Sequence, residues 1–146
     1  MAATVTLNDA EVRRALAKAG RLPDELPRLL APWLEEQLGG VQQAAQNLAP
    51  EKEGTLRRSG WVDVALSGGA PLVGTVEFGL GLAEPYAFVQ HENLSYHHTD
   101  GQAHFLHGGE DSPDDDSTSA WGRAKPQILR SLDGELSRLG GRAIQP

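Results

Sequence analysis

Apolar positions recur at helical spacing in three stretches of the chain and at alternate positions in two others. Val12, Ala15, Leu16 and Ala19 predict a short helix over residues 8–19. Asn8 can cap it, Glu11 can reach back, and Gly20 can end it. The longest stripe joins Leu26, Leu30, Trp33, Leu34, Leu38, Val41, Ala45 and Leu48, which predicts one helix over residues 26–48, closed by Pro50. Pro32 is expected in a first turn or at a kink, because an interior proline costs ~3 kcal/mol. Gly39 and Gly40 each weaken a helix by roughly 1 kcal/mol against alanine. Such a pair marks close packing against another element, or a bend.

The period then changes. Val62, Val64 and Leu66 alternate over residues 61–67, and Leu72, Val76 and Phe78 share a face over residues 72–79. Gly68-Gly69-Ala70-Pro71 lies between them, so the two segments read as a β-hairpin. Residues 86–90 read equally as a short strand or a helical turn. Residues 93–102 read as an exposed loop, and residues 112–119 as a mobile polar stretch. Trp121, Ala124, Ile128, Leu132, Leu136 and Leu139 predict a closing helix. Pro126 sets its first turn apart and Gly140-Gly141 stops it.

These elements predict an α+β fold: a long N-terminal helix, an antiparallel hairpin-based sheet and a C-terminal helix. The chain reads as one domain over residues 1–146. Within it residues 1–25 are a helical arm, 26–107 the core, 108–119 an acidic loop and 120–146 the last helix.

Composition narrows the function. Of 146 residues 39% are hydrophobic and few are aromatic, so Leu, Val and Ala must build the core. The formal charge of −7 argues against general attraction to nucleic acid or anionic membranes, and neither a membrane nor a sequence-specific nucleic-acid partner is expected. Much of it is local, in Glu110, Asp111, Asp114, Asp115 and Asp116. That stretch lacks the ligand alternation and glycine of a calcium loop. Without cysteine there is no disulfide framework and no thiolate zinc site, which fits an intracellular setting. No apolar run matches a membrane span or a leader.

Candidate chemistry gathers around His91, His97, His98, His104 and His107, with Glu92 and Asp100 nearby. Imidazole and carboxylate are metal ligands, yet the spacing matches no ligand motif; residues 93–95 are Asn-Leu-Ser. Histidine-rich loops are usually just solvated. On a strand His91 and Glu92 point to opposite faces, so an acid–base pair is not expected. Glu92 is expected to pair with an arginine or cap a turn. No nucleophile–base–orienter set is present, and neither a metal nor a cofactor is expected. Gly79-Leu80-Gly81-Leu82 lacks the lysine of a phosphate loop and reads as a bend. Trp33, Trp61 and Trp121 are expected to anchor the core, with an oligomer interface as the second choice for one of them.

Two segments carry a family resemblance. The first is Ala49-Pro50, a polar linker, then Gly54, Thr55, Leu56, Arg57, Arg58 and Ser59, standing between long helix and hairpin. The second is Pro85, Tyr86, Ala87, His91 and Glu92, followed by His104-Phe105-Leu106 before the last helix. In this order the chain resembles, over roughly residues 28–139, the tail-component family of long-tailed bacteriophages. It departs from that pattern in the charged linker Glu51-Lys52-Glu53, the acidic stretch after His107 and the N-terminal helix.

The resemblance implies a neck or tail-completion protein of the head–tail junction, related to minor tail and minor capsid proteins. Such a protein is structural and not an enzyme. It forms a homo-oligomeric ring, six-fold or twelve-fold, between the head connector or adaptor and the tail-tube or tail-terminator proteins. It is assembled in the host cytoplasm and carried in the virion. Arg57 and Arg58 are then expected to face a neighbouring subunit and pair with acids such as Glu77 or the acidic loop. The competing readings are a small metal-binding module or hydrolase built on the histidine-rich loop, and a toxin–antitoxin-like regulator that has only size in its favour.

Overall fold

The computed structural model describes residues 3–6, 26–50, 54–65, 72–79, 84–95, 101–107 and 118–143. The expected helix over 8–19, the hairpin turn at 68–71, His97, His98, Asp100 and the acidic stretch 110–116 lie outside them. In chain order the elements are β1 (Ala3–Thr6), α1 (Leu26–Leu48), α2 (Thr55–Arg58), β2 (Trp61–Ala65), β3 (Val73–Phe78), α3 (Glu84–Glu92) and α4 (Ala120–Ala143). The fold is α+β, with a long helix, an antiparallel sheet and a C-terminal helix.

The hairpin forms as its alternation requires. In the β2–β3 register Val62 faces Val76 and Val64 faces Gly74. That side of the sheet packs on α1. Trp61, Asp63 and Ala65 occupy the other side and are exposed. The expectation that Trp61 anchors the core is therefore corrected, for its strand begins one residue out of phase with the buried set. Trp121 is buried and Trp33 partly so. β1, which the sequence pattern did not predict, joins the other edge of β3, with Ala3 opposite Phe78 and Thr6 opposite Thr75. Part of the expected helical arm is thus a strand.

The stripe of α1 divides its work between two neighbours. Leu34 and Leu38 press on β3 so closely that a Cβ at Gly74 would lie 2.4 Å from Leu38 Cδ1. Val41, Ala44 and Leu48 turn toward α4, where they meet Ala120, Ala124 and Ile128 along a cleft of about 470 Å³. The predicted stripe of α4 is buried at Trp121, Ile128, Leu132, Leu136 and Leu139. Both interior prolines are accommodated, Pro32 within α1 and Pro126 within α4, so no separate first turn forms. Gly140-Gly141 does not stop α4, which runs on to Ala143. A Cβ at Gly39 or Gly40 would meet nothing within 4 Å. Among the described residues close packing therefore does not explain that pair.

Candidate functional site: a helix-to-hairpin corner and a histidine knot

The first marked segment builds the corner between α1 and β2. Gly54 is buried with φ of 69°, a left-handed conformation at the start of α2 that glycine adopts without strain. Leu56, on the single turn of α2, enters the core. The half-buried Arg57 donates from Nε to the carbonyl of Ala49 at 2.9 Å. This satisfies a carbonyl at the end of α1 and sets a cation against the negative pole of the helix. Arg58 folds over Gly54, with its guanidinium where a Cβ at that position would be. Ser59 Oγ donates to the Leu56 carbonyl at 2.7 Å and accepts the Gly79 amide at 2.8 Å. One hydroxyl thereby joins the corner to the end of β3. Gln42 Nε2 on α1 donates to the carbonyl of Gly60, and the Phe78 ring lies against Gly60 itself.

The second marked segment forms neither a strand nor a lone turn but the nine residues of α3. Pro85 stands in its first turn, where the missing amide is harmless. Ala87, Gln90 and His91 are buried, the i, i+3, i+4 face of a helix. At its last turn the His91 Nδ1 lies 2.6 Å from Glu92 Oε1. The expectation that these two side chains point apart is corrected: it assumed strand geometry, and the helix terminus brings them together. No arginine is the partner of Glu92 in this contact.

A seven-residue strap, 101–107, crosses the end of α3. Its backbone donates from His104 to the His91 carbonyl at 2.8 Å. It also completes two other helices. The Gln102 amide donates to the Leu48 carbonyl at the end of α1, while the Phe105 and Leu106 carbonyls accept the Ala120 and Trp121 amides at the start of α4. Ser119, fully buried, caps α4 by accepting the Gly122 amide at 3.0 Å. Phe105 and Leu106 are buried, and the Phe105 ring stands edge-on to Phe78 and to the His91 imidazole. The sequence pattern left residues 101 and 102 as exposed loop and gave the strap no role in joining helices. The adjacent Phe105 and Leu106 were its signal.

His91 is enclosed by this strap. Its ring centroid lies 4.4 Å from that of His107 and 5.4 Å from that of His104. Glu92 can only accept, so Nδ1 carries the proton, and Nε2 accepts the His107 amide at 3.4 Å. Glu92 Oε2 approaches His104 Nε2 at 4.0 Å. Burial, then the charge of His107, push His91 down from 6.5 to about 4, against the pull of Glu92. Both ring nitrogens are engaged and the residue is 1% exposed. Among the described residues no group of three His, Asp or Glu has the geometry of a metal site. Among them also no helix is long and apolar enough to cross a membrane.

No family model, curated protein or solved structure matches the chain.

Proposed function

We propose that the chain is a structural subunit of the head–tail junction of a long-tailed bacteriophage, a neck or tail-completion protein that assembles as a homo-oligomeric ring, six-fold or twelve-fold. The reading rests on the resemblance of the two marked segments. The observation that favours it is the corner, in which Gly54, Leu56, Arg57 and Ser59 hold helix, hairpin and sheet in fixed relation. These residues match the family's pattern and join elements to one another, which supports a structural reading. The exposed side of the sheet, with Trp61, and the exposed Leu94 leave apolar surface for neighbours. The head connector or adaptor and the tail-tube or tail-terminator proteins are its partners, and it carries no catalytic step.

The test is genetic and physical. Particles made without the chain should contain filled heads and separate tails, and adding the purified protein should join them. Native mass spectrometry of the protein with the connector should give six or twelve copies per complex. Infectious, tail-joined particles made in its absence would defeat the proposal.

A further inference from the structure

We propose that His91 is an acid-operated latch: proton uptake at its Nε2 expels the amide of His107, lifts the 101–107 strap and uncaps α1 and α4 together, while the sheet stays folded. The inference concerns the single chain and holds whether or not the chain enters a ring.

The geometry carries it. Nδ1 already bears the proton it donates to Glu92. The lone pair that would take a second proton is on Nε2, where it accepts the His107 N–H at 3.4 Å. Imidazolium carries N–H on both nitrogens and accepts nothing. Protonation therefore sets N–H against N–H at a buried position and removes a strap contact. The charged and titratable groups acting on His91 among the described residues are Glu92 on its own helix and His104 and His107 on the strap. Glu92 favours the charged ring, and the two histidines oppose it. That opposition acts on the strap, the element that carries both residues. Lifting it breaks the Gln102 amide contact with Leu48, the His104 amide contact with His91, and the two carbonyl contacts to the first turn of α4. One proton thereby acts on the ends of three helices. The β2–β3 ladder shares none of these bonds.

The experiment is residue-resolved amide exchange on the full chain at pH 7.5 and pH 5.0, corrected for intrinsic exchange. With the ring at 6.5 when the strap is open and about 4 when it is closed, protection of the Gln102, His104, Ala120 and Trp121 amides should fall about 30-fold. Val76, within β3, should stay better protected than these strap-linked amides at both pH values. His91→Gln, which cannot titrate, should flatten the change to less than about threefold. Should that variant not fold, the imidazole nitrogen shifts of the unaltered chain decide the matter: His91 must titrate well below 6.5, together with the strap amides. Strap protection independent of pH, strap-linked amides protected as strongly as Val76 at pH 5.0, or an imidazole titrating near 6.5 would each overturn the latch.

Discussion

Replacing Gly101 by alanine should cost more than its exposed position suggests. Gly101 has φ of 86°, and a Cβ there would lie 2.6 Å from the Pro50 nitrogen and 2.7 Å from the Ala49 carbonyl carbon. Both are backbone atoms, so no rotamer change relieves the overlap. Alanine in the left-handed region costs about 1–2 kcal/mol. Backing the strap away also loses the Gln102 amide bond to Leu48, about 1 kcal/mol. The sum is about 2–3 kcal/mol, which for a chain of this length lowers the thermal midpoint by roughly 10 °C. Gly39→Ala is the control. It lies in α1 with nothing within 4 Å of its added methyl, so helix propensity should raise stability by up to ~1 kcal/mol. The assay is reversible thermal and urea unfolding of the three proteins. Gly101→Asn separates the causes, because asparagine tolerates positive φ but keeps the Cβ. If Gly101→Asn were as stable as the parent, the backbone overlap would not be the reason, and the close approach of strap to helix would lose its energetic meaning.

Stability should fall as pH drops through the window from 6.5 to about 4. His91 is neutral in the folded chain there while the unfolded chain takes up the proton, and the difference amounts to ~3 kcal/mol in urea unfolding. Above 6.5 this group leaves stability flat, so a decline beginning near pH 8 would need another source. Gly74→Ala should lose about 1–3 kcal/mol by forcing Leu34 and Leu38 of α1 off the sheet, and unchanged denaturation would show that they yield freely. Ser119→Ala should lose about 1–2 kcal/mol by orphaning the Gly122 amide, measured as a shift in urea midpoint that Ser119→Asp partly restores.

The two long helices and the hairpin were legible because their burial follows a single period: Leu30, Leu34, Leu38, Val41 and Ala45 on one, Val62 and Val64 against Val76 and Phe78 on the other. β1 was not, since Ala3–Thr6 is four residues long and owes its conformation to β3. The pattern of residues 86–90 fits strand and helix alike; the burial of Ala87, Gln90 and His91 shows which period applies, but Gln90 and His91 are polar and form no hydrophobic stripe. That same ambiguity hid the contact of His91 with Glu92. The corner was legible in part: the positive φ of Gly54 and the burial of Leu56 follow from a glycine and a leucine between linker and strand. The end-capping by Arg57 and by the strap was not, because hydrogen bonds to Ala49 and Leu48 carbonyls leave no residue-type signature on the receiving side.

The strap has a consequence for the order in which the chain folds. α1 and α4 can begin locally, and the β2–β3 hairpin closes over a short span of sequence. The strap joins Leu48 to residue 102 and carries the start of α4, so it can dock only when both helices are already in place. Its contacts therefore belong to the native side of the folding barrier. Substitutions in 101–107 should then leave the refolding rate nearly unchanged and accelerate unfolding, giving φ-values near zero, whereas Leu38 and Val76 in the helix–sheet core should slow refolding. A protein held together by a late clasp keeps its lifetime, more than its route to the folded state, in seven residues.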